Sequence, residues 1–220
     1  MTLRIWNLAK SYGTRAVLRG VELSIEPGES VALVGGNGSG KTTILRTIAG
    51  LTIPDSGEVE ICGVDAIRNG KEARRRLSYM PQKAAFPATL TVEETISFVA
   101  RLRDIAAARV SEEIERCDLG PLARADVGTL SGGERQRLAL ACALVPAVDL
   151  YLFDEPSANL DARSIEIFRA RASQLVESGR CVLFTTHVSA DVENLATRVA
   201  TLADGRIDRV RLRVVAGGKA

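Results

Sequence analysis

The sequence contains one histidine and four cysteines. The cysteines, Cys62, Cys117, Cys142 and Cys181, are scattered and form no C-x-x-C pair, and no cluster of histidines accompanies them. A zinc site is therefore not expected. Reduced, buried thiols in a cytosolic protein are the default interpretation of such a pattern.

The sequence also lacks long uninterrupted apolar runs. The N-terminal stretch MTLRIWNLAKSYG has no apolar core of the kind found in secretory signals. The longest apolar stretch, Leu138 to Phe153, contains Pro146 and Asp149 and is expected to break into a helix and a strand. We therefore predict no membrane-spanning helix, so that any role at a membrane would come through a partner.

Charge of either sign is not in excess. The 220 residues include 29 basic and 27 acidic side chains, a net charge of +2, which gives no reason to expect a nucleic-acid partner. The single dense basic run, Arg74 to Arg76, is interpreted as a solvated face. The length predicts one domain spanning residues 1–220. The character of the sequence changes at Lys83, and we expect a helical insertion at about residues 83–130. The C-terminal GGKA is expected to be frayed.

The periodicity of apolar residues predicts a mixed α/β chain. Strands are expected at residues 3–7, 17–25, 31–34, 58–62, 77–80, 150–153 and 181–185. Helices are expected at 41–51, 91–108, 111–117 and 161–177, with a further helix starting at about 131. Residues 68–76 show only polar character. The pair Thr91 and Glu94 has the spacing of a capping box.

Residues 35–42 read GGNGSGKT and follow the apolar run VALV. This matches G-x-x-x-x-G-K-[ST], a loop whose backbone N–H groups surround a phosphate chain at the N-terminus of a helix. Lys41 would reach the β- and γ-phosphates, and the Thr42 hydroxyl suits Mg²⁺. The predicted nucleotide-binding residues are Gly35, Gly36, Asn37, Gly38, Ser39, Gly40, Lys41, Thr42 and Thr43.

Two acids end an apolar strand in the run LYLFDE. Ligands of α/β sheets bind at the carboxyl ends of the strands, so Asp154 should lie near Thr42 and its Mg²⁺. Glu155 could polarise a water molecule for attack on the γ-phosphate. Taken alone, the pair could also be solvated acids in a loop.

The run LSGGE at residues 130–134 places a hydroxyl and two glycines at the start of a helix. This is either a plain serine cap or a second anion site. One chain has no evident need of two such sites for one nucleotide, whereas two chains facing each other could each complete the other's site.

In order, GGNGSGKT, Gln82, LSGGE, LYLFDEP, SANLD and His187 resemble the motifs of the ATP-binding cassette (ABC) ATPases over about residues 2–210. The resemblance implies a RecA-like P-loop core of ABC type with an antiparallel β subdomain and a helical insertion. It departs from the family at Gly36, where proline is frequent, and at Glu134, where glutamine is frequent.

The resemblance also implies residue roles. Glu155, His187 and Gln82 would be catalytic, and Thr42, Gln82 and Asp154 would hold Mg²⁺. Tyr12 would stack on adenine, with simple packing as the alternative. Asp161 would be the D-loop aspartate. The signature that closes over the opposite protomer's ATP would be Ser131, Gly132, Gly133 and Glu134.

The implied function is the ATP-hydrolysing subunit of an ABC transporter, with ATP and Mg²⁺ as ligands and export favoured over import. It would act as a homodimer on the inner face of the cell membrane. A separate transmembrane permease would dock near Gln82–Leu90, although this segment could also be a loop packed on its own domain. The alternative function is a soluble ABC ATPase that assembles or remodels a protein complex.

Overall fold

The computed structural model describes residues 1–158 and 160–212. The prediction of a frayed GGKA terminus lies outside these residues. The strands are β1 (Leu3–Tyr12), β2 (Arg15–Ile25), β3 (Ser30–Val34), β4 (Ser56–Ile61), β5 (Val64–Asp65), β6 (Leu77–Met80), β7 (Leu150–Asp154), β8 (Cys181–Thr185), β9 (Arg198–Ala203) and β10 (Arg206–Leu212). The helices are α1 (Lys41–Ile48), α2 (Gly70–Arg75), α3 (Val92–Leu102), α4 (Ala107–Arg116), α5 (Gly132–Leu144), α6 (Ala162–Glu177) and α7 (Ser189–Leu195).

The strands form two sheets. An antiparallel sheet has the order β2-β1-β4-β5, and a second sheet has the order β10-β9-β3-β8-β7-β6. In the second sheet, β3 runs parallel to β8 and β9, β7 runs parallel to β6 and β8, and only the β9–β10 pair is antiparallel. The predicted mixture of an α/β core and an antiparallel β subdomain is confirmed.

The six-stranded sheet separates two apolar cores, because successive side chains of a strand point to opposite faces. Leu150 and Leu152 of β7 pack with α1 and the antiparallel sheet. Tyr151 and Phe153 pack on the other face with α3, α4, α5 and α6, where the Phe153 and Phe168 rings meet edge to face at 5.5 Å between centroids. Burial on both faces explains why these strands read as continuous apolar runs.

The helical segment between β6 and β7 contains α3, α4, two short 3-10 turns and α5. Its first helix begins with the predicted capping box: the Glu94 N–H donates to Thr91 Oγ1 at 3.1 Å, and the Thr91 N–H donates to Glu94 Oε2 at 2.8 Å. The predicted boundaries of the first two helices, 91–108 and 111–117, are wrong. The first helix ends at Leu102, and the next begins at Ala107.

The early end of α3 has a local cause. Asp104 has a φ of 55°, its N–H bonds the Arg101 carbonyl at 3.3 Å, and the Ile105 N–H bonds the Ala100 carbonyl at 2.9 Å. This is a Schellman end with aspartate in the position that glycine usually occupies, which is why the sequence pattern did not reveal it. Helix α1 ends three residues before the predicted Leu51 in the same way, with Gly50 at a φ of 71°.

Two further elements differ from the prediction. The polar stretch 68–76 contains α2, in which Ala73 alone is buried, so that no apolar period marks the helix. Strand β1 continues from the predicted end at Asn7 to Tyr12. A shift of register near Asn7, which has a φ of 46°, interrupts the alternation of apolar residues and conceals the second half of the strand.

Candidate functional site

The candidate site lies at the carboxyl ends of four neighbouring strands, β3, β8, β7 and β6, where ligands of parallel sheets bind. The loop 35–40 follows β3, Gln82 follows β6, Glu155 follows β7, and His187 follows β8. A cavity of about 520 Å³ opens between them. Its lining residues are Arg15, Val17, Asn37, Gly38, Ser39, Gly40, Lys41, Thr42, Thr43, Gln82, Glu155 and His187.

The glycine loop is held close to neighbouring backbone. A Cβ atom at Gly35 would collide with the Leu202 carbonyl oxygen, and one at Gly40 would come within 2.8 Å of Leu18 Cδ2. Gly40 precedes α1 with a φ of 113°, and no side chain caps the helix. The first N–H groups of α1 are therefore left for a ligand, as an anion site at a helix N-terminus requires.

Lys41 folds back over this loop. Its ammonium donates to the carbonyl oxygens of Gly35 at 2.8 Å and Gly36 at 3.2 Å, and the residue is 7% exposed. The same nitrogen lies 3.4 Å from His187 Nε2. Lys41 thus places a positive charge at the inner end of the cavity.

Asp154 is the last residue of β7 and is buried. Its Oδ1 accepts hydrogen bonds from Thr185 Oγ1 at 2.7 Å and Thr42 Oγ1 at 3.2 Å, and its Oδ2 lies 3.5 Å from the Tyr79 hydroxyl. Burial and the nearby Asp154 charge raise the pKa of Tyr79 to about 12, so this hydroxyl keeps its proton. Within residues 1–158 and 160–212, the partners of Asp154 are hydroxyl groups and none is a cation.

A divalent cation fits this arrangement. A buried carboxylate without a cationic partner stands beside the Thr42 hydroxyl, and oxygen atoms of this kind are the ligands that Mg²⁺ prefers. Gln82 lines the same cavity. Of the three side chains predicted to hold Mg²⁺, Thr42 and Gln82 thus line the cavity, and Asp154 is bonded to Thr42.

Glu155 is held in an unusual backbone conformation, with a φ of 51°. Its N–H donates to Thr185 Oγ1 at 2.8 Å, and its Oε1 lies 2.9 Å from His187 Nε2. A neutral His187 that donates Nε2–H to Glu155 cannot also accept from Lys41 at that nitrogen. Left-handed residues of this type concentrate at functional sites.

Several residues at the site were not predicted. The Thr185 hydroxyl donates to the Asp154 carboxylate and accepts from the Glu155 N–H. Its position opposite Asp154 follows from the β7–β8 register. Tyr79 and Val17 come from predicted strands whose patterns indicated only packing, and Arg15 lies two residues before the predicted start of its strand. A hydroxyl at the end of a buried strand, as in FTT, is the one sequence signal that could have revealed Thr185.

Tyr12 does not line the cavity. It lies on β1, is 51% exposed, and its ring centroid is 5.5 Å from Lys10 Nζ. It pairs across the hairpin with Arg15, which does line the cavity and whose Nη2 donates to the Gly38 carbonyl at 3.4 Å. Tyr12 therefore stands at the outer margin of the site.

The predicted signature lies away from this cavity. Ser131 caps α5: its N–H donates to Glu134 Oε2 at 2.7 Å, and its Oγ accepts from the Glu134 N–H at 3.3 Å. Hydrogen bonds from Ser131 lower the pKa of Glu134. The predicted signature packs closely against Asp161, the predicted D-loop aspartate. A Cβ atom added at Gly133 would collide with the Asp161 carboxylate. At Gly132 an added Cβ would meet nothing within 4 Å.

A glycine loop, a buried aspartate and a neighbouring glutamate at the carboxyl edge of a parallel sheet are the arrangement of a P-loop nucleotide-binding protein. The chain belongs to the ABC transporter family, whose family model matches residues 18–158. The resemblance inferred from the motifs is thereby confirmed.

Relatives of known type match most of the chain. It is 36% identical over 201 residues to Nod factor export ATP-binding protein I of Burkholderia thailandensis, covering 90% of this chain and 66% of that protein. It is 39% identical over 219 residues to the sulfate/thiosulfate import ATP-binding protein CysA of Bradyrhizobium diazoefficiens, covering 96% of this chain and 63% of that protein. The chain thus spans slightly less than two thirds of these two relatives.

Solved structures share the fold. An ATP-binding subunit of an ABC transporter superposes with a TM-score of 0.90 at 27% identity, covering 96% of this chain and 90% of that one. The ATP-binding cassette MJ0796, in a dimeric post-hydrolysis state bound to ADP and Pi, superposes with a TM-score of 0.89 at 27% identity, covering 98% of this chain and 100% of that one. The predicted P-loop fold of ABC type is confirmed.

Proposed function

We propose that this chain binds and hydrolyses Mg-ATP as the ATP-binding subunit of an ABC transporter. The observation that carries the proposal is the convergence of Lys41, Glu155 and His187, which follow three different strands, on one cavity, with Asp154 bonded to the cavity residue Thr42. The MJ0796 structure, which is bound to ADP and Pi, supports hydrolysis by the same fold.

The phosphates would lie along the glycine loop, with Lys41 turned from the loop carbonyls towards the β- and γ-phosphate oxygens. Thr42, Asp154 and Gln82 would hold Mg²⁺, which neutralises charge on the phosphates. Glu155 would polarise the attacking water, and His187 would hold Glu155 and contact the γ-phosphate. Tyr12 would contact adenine from the margin of the cavity.

We further propose that two copies of the chain form the working enzyme. Ser131, Gly132, Gly133 and Glu134 do not line the chain's own cavity, and the fold itself does not require a glycine at position 132. An open backbone N–H group at the start of α5 suits the γ-phosphate of a partner protomer's ATP. Asp161, which packs on Gly133, would then lie at the interface.

Glu155→Gln tests the proposal most directly. The change keeps the size of the side chain and removes its capacity to accept a proton, so we expect hydrolysis nearly to stop while Mg-ATP traps a dimer. Phosphate release and light scattering with and without Mg-ATP would measure the two effects. A variant that hydrolyses ATP at the wild-type rate would remove Glu155 from its proposed role.

The coupling partner is proposed to be a transmembrane permease, with export favoured over import. Among the described residues, no helix is both long and apolar enough to cross a membrane. The proposed permease would hold the chain on the inner face of the cell membrane. A groove of about 380 Å³, lined in part by Pro81, Ala84 and Phe86, is the proposed docking surface near Gln82–Leu90.

Affinity purification from native membranes in mild detergent with Mg-ATP would test the partner. We expect a polytopic membrane subunit in stoichiometric yield, lost when Phe86→Asp places a charge in the groove. The family of that subunit would also distinguish export from import, since the named relatives include both. Recovery of soluble partners alone would contradict the transporter proposal.

A further inference from the structure

Asp191 stands outside every role proposed so far, although it is fully buried and completely hydrogen-bonded. It lies in the first turn of α7, is 0% exposed, and accepts from Arg169 Nε at 2.9 Å and Nη2 at 2.6 Å through its Oδ1. Its Oδ2 accepts from the hydroxyls of Ser157 and Thr186. A buried carboxylate persists only with such compensation.

The two hydroxyls belong to the two loops that carry the reactive side chains. Ser157 lies two residues after Glu155 and is 4% exposed, and Thr186 immediately precedes His187 and is 2% exposed. Thr186 Oγ1 also accepts from the Val188 N–H at 2.9 Å, which fixes the turn around His187. Asp191 therefore joins the end of β7 to the end of β8 behind the site.

This connection bears on the reactive geometry, because Glu155 and His187 meet across the gap between the same two loops, at 2.9 Å. Glu155 also has a φ of 51°, a conformation that persists only when its surroundings hold it. The Thr185 hydroxyl fixes the loop on the near side of Glu155, and the contact of Ser157 with Asp191 fixes it on the far side.

We propose that Asp191 is a positioning residue: through Ser157 and Thr186 it holds Glu155 and His187 in register for hydrolysis, with Arg169 balancing its charge. It touches no part of the cavity. The inference rests on the proposed ATPase function and predicts that loss of this connection slows turnover while leaving nucleotide binding intact.

Ser157→Ala is the decisive variant, because it removes one hydroxyl and leaves the pair of Asp191 and Arg169 in place. We expect kcat to fall about tenfold or more, the order of one lost hydrogen bond to a charged group, while the Kd for Mg-ATP changes by less than about threefold. Asp191→Asn should have the same effect. The double variant should be no slower than the slower single one, since both remove the same connection.

Glu113→Gln is the matched control. Glu113 is another carboxylate at 0% exposure, and it is bound by Arg171, also on α6, through contacts of 2.7 and 2.8 Å. It lies on α4 and touches neither catalytic loop. We expect this variant to lose stability, as any broken buried ion pair does, with kcat unchanged.

A second readout does not depend on turnover. Because His187 is the only histidine in the sequence, the imidazole NMR signals of untagged protein report on its contact with Glu155. We expect Ser157→Ala to shift these signals and Glu113→Gln to leave them in place. If Asp191→Asn fails to fold, Ser157→Ala decides the matter alone.

Wild-type kcat and unshifted imidazole signals in Ser157→Ala would overturn the inference, as would a loss of ATP affinity as large as the loss of turnover. A wild-type protein that binds ATP without hydrolysing it would instead contradict the proposed function. In that case the imidazole signals alone would confirm or refute the link between Asp191 and the two loops.

Discussion

At the scale of single residues, the Thr185 hydroxyl contacts both acids of the site, Asp154 and Glu155, in different ways. Thr185 Oγ1 donates to Asp154 Oδ1 at 2.7 Å and accepts from the Glu155 N–H at 2.8 Å. Asp154 is thereby fixed towards Thr42 and the proposed metal, whereas the Glu155 side chain turns towards His187. Two adjacent acids can then have separate functions, because one hydroxyl holds the carboxylate of Asp154 and the backbone of Glu155.

Lys41 provides the first prediction at this scale. Its ammonium is the charge that closes the glycine loop, and a hydrogen bond to a charged group contributes about 1.5–3 kcal/mol. Lys41→Ala should therefore lower the affinity for Mg-ATP by about tenfold to a hundredfold or more, measured by calorimetry. Lys71→Ala, an exposed lysine on α2, is the control, and unchanged affinity in Lys41→Ala would contradict the proposed phosphate site.

At the scale of elements, the start of α5 combines two properties. The capping box pairs the N–H groups of Ser131 and Glu134 within the chain, and Gly132 leaves open space beside it. A helix start that is capped yet uncovered is stable in the single chain and accessible to a second one. This is why the sequence could not decide between a plain cap and an anion site.

Ser131→Arg tests that element. The bulk and charge of arginine should block approach of a partner's ATP, so we expect ATP turnover to be abolished. Nucleotide binding to the monomer should be retained, because Ser131 is exposed and does not line the cavity. Ser131→Ala serves as the comparison: it removes the hydroxyl, at a cost of about 1 kcal/mol of stability, but adds neither bulk nor charge. Loss of both turnover and binding in Ser131→Arg would indicate misfolding instead of a composite site.

At the scale of the whole molecule, the central sheet keeps two cores apart, and one of them contains unreactive thiols. Cys117 and Cys142 both belong to the core on the helical side, and burial raises the pKa of each thiol to about 12. A thiol that stays neutral behaves as a small apolar side chain, which is what this core needs. The prediction of buried thiols is confirmed for Cys117, Cys142 and Cys181 and is wrong for Cys62, which is only half-buried.

Because of the thiols of Cys117 and Cys142, the free energy of unfolding should vary with pH in the alkaline range. Their folded pKa lies above the unfolded value of 9.0, so the folded state binds more protons between about pH 9 and 12. The free energy of unfolding should be intact below pH 9 and fall above it, by about 1.4 kcal/mol per thiol at pH 10. Urea unfolding at pH 7 and pH 10 would measure this fall. The double variant Cys117→Ala/Cys142→Ala should lose part of it, and an equal fall in both proteins would contradict the assignment.

The parts that the sequence predicted correctly are those with local causes. The capping box at Thr91 depends on residues three positions apart, and strands β3, β7 and β8 of the central sheet are marked by apolar runs. Helix α2 and the ends of α1 and α3 were missed or misplaced. Their limits depend on a single buried alanine and on positive φ angles, which no apolar period reveals.

The glycine loop, the two acids at the end of β7 and the helix caps could be predicted without a structure, because each is encoded within a few adjacent residues. Which distant side chains join them depends on how the whole chain folds. Thr185 reaches Asp154 because β7 and β8 are neighbours in register, and Asp191 reaches Ser157 across 34 positions of the chain. Such contacts depend on the order of strands in the sheet, which is fixed by the packing of the whole chain and not by any one segment.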